Sequence, residues 1–127
     1  MPELQVFASP AVATTVGGSG VVTGATAGQV IATLTPAASG LYDIEVFIGM
    51  NATLASAADS NNMNLKVGST TVITNIPYVG TGTSNSTTGP LKIRAILDGA
   101  TAVTVNAVGA ATGTARYSAS ITATKVG

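Results

Sequence analysis

Two carboxylates, Asp43 and Glu45, stand two residues apart in the stretch Gly40-Leu-Tyr-Asp-Ile-Glu-Val-Phe-Ile-Gly-Met-Asn51. A glycosidase sets such a pair across a cleft, one group as acid and the other as nucleophile or base. In an extended chain, however, side chains alternate with a period of two, so both acids point to the same side. They sit side by side on a flat face, where ion pairing is the simpler role. Asp59-Ser-Asn-Asn62 offers calcium-compatible oxygens without the register of a calcium loop. Gly17-Gly-Ser-Gly20 and Gly80-Thr-Gly-Thr-Ser84 lack the lysine and the following helix of a phosphate cradle, and both read as loops. Asn51-Ala-Thr53 and Asn85-Ser-Thr87 match the glycosylation pattern, which is frequent by chance in threonine-rich chains.

The chain contains no cysteine and no histidine. That removes disulfides, thiolate metal sites, Cys nucleophiles, the usual general base and every His-dependent triad. No serine has a plausible base, so catalysis is not expected, and neither is a cofactor or a bound metal. Five basic residues balance five acidic ones. Scattered cations in that number make no basic stripe, so no nucleic-acid partner is expected. The start, Met-Pro-Glu-Leu-Gln5, has neither the basic nor the apolar region of a signal peptide. No apolar run is long enough to cross a bilayer, and no membrane partner is expected. So little surface charge suits a subunit that packs against others.

The elements that hold these residues read as strands. From Gly40 to Asn51, Tyr42, Ile44, Val46, Ile48 and Met50 share one side of an extended chain, opposite Leu41, Asp43, Glu45 and Phe47. A helix would scatter the acids among the apolar groups. Gln29–Thr35 and Met63–Val67 alternate as well, the first with Val30, Ala32 and Leu34 on one side. Gly68-Ser69 is a tight hairpin signal returning into Thr70–Ile76. Leu4–Ala8 is a short strand candidate, and 52–61 reads as a loop with one turn of helix. Pro77 to Pro90 reads as a polar loop. Beyond it Leu91, Ile93, Ala95 and Leu97 alternate with Lys92, Arg94 and Ile96. Asp98-Gly99 then predicts a hairpin into a return strand with Val103, Val105 and Ala107 inward. Residues 115–126 alternate Tyr117, Ala119, Ile121 and Ala123 against Arg116 and a run of Ser and Thr. About eight strands at turn-punctuated spacing predict an all-β antiparallel sandwich with almost no helix. Tyr42, Ile44, Val46, Ile93, Val105 and Ile121 are its predicted core. Residues 1–28 read as an extended N-terminal arm or edge strand, and 29–127 as the sandwich.

The order of the pieces resembles the jelly roll of the tumour-necrosis-factor and complement globular-head type. The features are Ser39-Gly40-x-Tyr42, a long loop, Leu65-x-Val67-Gly68, and Leu91-x-Ile93…Leu97-Asp98-Gly99-x-x-x-Val103-x-Val105, with Tyr117 in a closing strand. Small cysteine-free, Ala/Thr/Gly-rich chains of this layout also resemble the auxiliary capsid proteins that decorate or cement the heads of tailed bacteriophages. That resemblance implies a two-sheet jelly-roll sandwich, a homo-oligomer (commonly a trimer), the major capsid protein as partner and the virion surface as location. It also implies an N-terminal arm that grips the capsid lattice. The aromatic residues that fill the trimer axis of the cytokines are missing here, which points away from a receptor ligand.

Two function classes follow. One is a structural virion protein, a decoration or cement subunit stabilising the shell. The other is a glycan- or receptor-binding head of a fibre or spike. Glycan sites stack sugars on exposed aromatics, and this chain has no Trp and three tyrosines, Tyr42, Tyr78 and Tyr117. Two of these fall on core-facing positions, which favours the structural class. Phe47 and Ile96 face away from the core and would otherwise be wet. Asp43, Glu45, Lys92, Arg94 and Arg116 are expected on the same outer face. These seven residues form the expected interface.

Overall fold

The computed structural model describes residues 15–51, 63–76, 86–108 and 116–127. Within them lie eight strands and no helix: β1 (Thr15–Thr23), β2 (Val30–Leu34), β3 (Gly40–Asn51), β4 (Met63–Val67), β5 (Thr70–Ile76), β6 (Ser86–Leu97), β7 (Val103–Ala107) and β8 (Arg116–Lys125). They form two four-stranded sheets, ordered β1-β8-β3-β6 and β2-β7-β4-β5. Every pairing is antiparallel. First pairs with last, second with seventh, third with sixth and fourth with fifth, as when one long hairpin is rolled up. That nesting is the jelly-roll sandwich.

The core fills the space between the sheets. Tyr42, Ile44, Val46 and Ile48 of β3 meet Leu65, Val103 and Val105 of the other sheet and Tyr117 and Ile121 of β8, each at most 1% exposed. A large apolar side chain sealed in this way stabilises the fold by roughly 1.5–3 kcal/mol. Tyr42 is buried because its hydroxyl has a partner, donating to the Ala38 carbonyl at 2.8 Å. Among the described residues no polar or charged residue is fully buried.

Five expectations need correction. Asp98-Gly99 is not a hairpin, because β6 and β7 belong to different sheets. The Asp98 carboxylate accepts from the N–H groups of Ala100 and Thr101 at 2.8 and 2.7 Å and from the Thr101 hydroxyl at 2.6 Å. This side-chain turn carries the chain around the sandwich corner. Gly99 has φ +80°, and a Cβ there would meet the backbone of Ala38 and Ser39 at 2.8 Å. Second, Val30 is exposed while Ile31 is buried, since a bulge between Val30 and Ala32 shifts the alternation. Third, Pro90 does not end a loop but lies inside β6. That strand is at the sheet edge and its register slips opposite Val46–Ile48, so a residue without an N–H is tolerated. Fourth, Ile93 packs on the core only from its margin and is half-buried, because β6 is the outer strand of its sheet.

Fifth, within 1–28, residues 15–23 form the edge strand β1 along β8, so Gly17–Gly20 is strand and not a loop: pairing with β8 holds the glycines extended. The expected strand Leu4–Ala8, the 52–61 loop, Asp59-Ser-Asn-Asn62, Tyr78 and Gly80–Ser84 lie outside the described residues.

Candidate functional site

The outer face of the β1-β8-β3-β6 sheet collects the residues expected to make contacts. Opposed residues of antiparallel strands share a face, so the register sorts this surface into rows. One row runs Thr15, Thr124, Asp43, Arg94, and the next Gly17, Thr122, Glu45, Lys92. Then comes Ser19, Ser120, Phe47, where β6 bulges, and then Val21, Ser118, Gly49.

Asp43 and Arg94 face each other directly and make a forked pair, Arg94 Nε donating to Asp43 Oδ1 at 2.6 Å and Nη2 to Oδ2 at 3.1 Å. The guanidinium matches the carboxylate in plane and spacing, which a lysine could not do. The hydrogen bond from Arg94 is the main reason the Asp43 carboxyl sits below the usual carboxylate range. Its charge and that of Lys92 act in the same direction, against partial desolvation. The Arg94 side is raised in turn, first by its hydrogen bond to Asp43. Among the described residues this is the one ion pair, and both side chains remain wet, at 61% and 48% exposed. Glu45 and Lys92 are opposite in register without closing into a second pair.

Arg116 shares the face but not the cluster. It lies opposite Asn51 and Thr23, six residues along β8 from Thr122, a separation of roughly 20 Å at strand rise. The acids are therefore flanked by bases on the β6 side only, with Thr122 and Thr124 on the other. Ile96 is 81% exposed and lies opposite Leu41. Val126 joins them, its N–H bonded to the Leu41 carbonyl, giving an apolar row at the end of the sheet beside the ion pair. Phe47 and Val21 stand up on either side of Ser118 and Ser120, around a shallow depression of about 310 Å³. A second depression of about 480 Å³ lies over Asp43, Glu45, Lys92 and Arg94.

Val21, Leu41 and Val126 belong to this surface and were not singled out from the sequence. Leu41 could have been, because it shares the outward parity of Asp43. Val21 and Val126 required the pairing with β8 and β3, which no local pattern encodes.

Chemically the face suits contact. Its clustered acids lie flat along one strand, and one of them is held ionised by a guanidinium, the wrong state for a general acid. No group of three or more potential metal ligands occurs among the described residues. Tyr42 and Tyr117 are both fully buried and present no ring for sugar stacking.

No family model matches the chain, and no curated protein matches it. A solved structure described as "Cyanophage Pam1 capsid asymmetric unit" is similar in fold, with a TM-score of 0.50 and 15% sequence identity over 98% of this chain and 94% of that one. At that identity the likeness is one of fold.

Proposed function

We propose that the chain is a structural virion protein, a capsid decoration or cement subunit bound to the outer shell of a bacteriophage head. The observation that carries this reading is the likeness of nearly the whole chain to nearly the whole of a phage capsid chain. Its partner is the major capsid protein, and it acts by burying interface area, with no reaction to perform. The sparse charge and the apolar row of Leu41, Ile96 and Val126 support a surface that is covered in use. Its resemblance to trimeric jelly rolls makes the working unit a homo-oligomer, a trimer in this reading. Phe47, Ile96, Asp43, Glu45, Lys92, Arg94 and Arg116 lie on its contact face, and the residues ahead of Thr15 reach a neighbour or the shell.

The test is co-purification. Particles of the phage that encodes the chain should carry it through a density gradient, and an antibody against it should label intact heads. Label on fibres or tails, with bare heads, would favour the glycan-binding head instead.

A further inference from the structure

We propose that the free edge of β1 pairs antiparallel with β1 of a second copy, across a two-fold axis at Ser19. Among the described residues the sheets end in four strands, β1, β6, β2 and β5. An edge strand leaves a row of backbone N–H and C=O groups open to another chain, and proteins usually guard it with charge, proline, bulges or shortness. β6 carries Pro90, Lys92 and Arg94 and a register break. β2 is five residues long and bulged, and β5 is out of register with β4 at two points. β1 has none of these guards: Thr-Val-Gly-Gly-Ser-Gly-Val-Val-Thr is uncharged, lacks proline and follows β8 without a break for nine residues.

The side chains say which partner fits. Antiparallel pairing about Ser19 sets Ser19 against itself, Thr15 against Thr23, Val16 against Val22 and Gly18 against Gly20. Val21, 63% exposed, then stands opposite Gly17 of the second copy. Gly17 has room for it, since even a Cβ of its own would meet only the Ile121 carbonyl, at 3.5 Å. Knob and hole thus come from the same strand, as a two-fold contact requires. The same operation on β6 about Ile93 would force Lys92 against Arg94, a repulsive pair. A nine-residue edge is small for a stable interface.

The chain has no cysteine, so single cysteines report proximity cleanly. Directly opposed residues of antiparallel strands lie about 4.5–5.5 Å apart at Cα, within disulfide range. Ser19→Cys full-length protein, oxidised at moderate concentration, should cross-link to a dimer about tenfold faster than Val21→Cys or the β5 control Val72→Cys. A mixture of Gly17→Cys and Val21→Cys chains should cross-link as fast as Ser19→Cys. Circular dichroism of the reduced variants checks that each is folded. Cross-linking of Ser19→Cys no faster than Val72→Cys, or failure of the mixture, would overturn the pairing. The experiment needs only the isolated chain, so its outcome is separate from the capsid reading.

Discussion

Gly18 lies against the carbonyl oxygen of Thr33, so β1 and β2 meet backbone to backbone with no space for a side chain between them. Gly20 lies in the same way against the Ile31 carbonyl. On this side the two sheets close onto each other, which is why two inward positions of β1 are glycine.

Gly18→Ala should therefore push β1 off β2. We expect a loss of about 1–3 kcal/mol, the usual cost of forcing an extra group into a packed site. Gly17→Ala, on the outer face with an ordinary contact at 3.5 Å, should cost far less. Urea unfolding of the two variants makes the comparison, and equal effects would mean that the close approach is not a constraint.

Val46→Asp should unfold the domain. Val46 is 0% exposed and no charged residue is buried with it among the described residues, so an ionised carboxylate there costs several kcal/mol. Far-ultraviolet circular dichroism should lose its strand signal, and a native-like spectrum would place Val46 outside the core.

Period-two alternation made Tyr42, Ile44, Val46, Val105 and Ile121 legible as core residues, because one buried face repeats along every strand. The same parity put Asp43, Glu45, Lys92 and Arg94 outward before any pairing was known. Three features were illegible for physical reasons. Turn chemistry at Asp98-Gly99 encodes a local reversal and not the sheet that the next strand joins. A bulge, as at Val30, moves the alternation by one residue without leaving a mark in composition. The distance of Arg116 from the acids depends on register summed along β8, which only tertiary pairing sets.

Acid should weaken the corner at Asp98. The Thr101 hydroxyl, helped by the N–H groups of Ala100 and Thr101, lowers its carboxyl to about 2. In the unfolded chain the group titrates near ~3.9. Between those values the unfolded chain binds more protons, so stability from this residue is present above ~4 and lost as pH falls toward 2. Asp98→Asn should lower the urea midpoint at pH near ~6 and flatten the decline below ~4. An unchanged acid profile in the variant would mean the carboxylate contributes nothing.

Arg94→Ala removes the fork to Asp43. Because both groups are wet, the unfolding midpoint of a single subunit should barely move. If this face is an interface, the same pair is desolvated on assembly, and dissociation of the oligomer should become easier by a larger factor. Small and equal effects on both measurements would assign the contact to another surface.

Attachment to heads tests the capsid reading most directly. Heads assembled without this chain should bind the purified protein saturably and become more resistant to heat. A chain starting at Thr15 keeps β1 and so should stay folded, yet it should bind more weakly. No binding by the full-length chain to those heads, with its fold intact, would contradict the assignment.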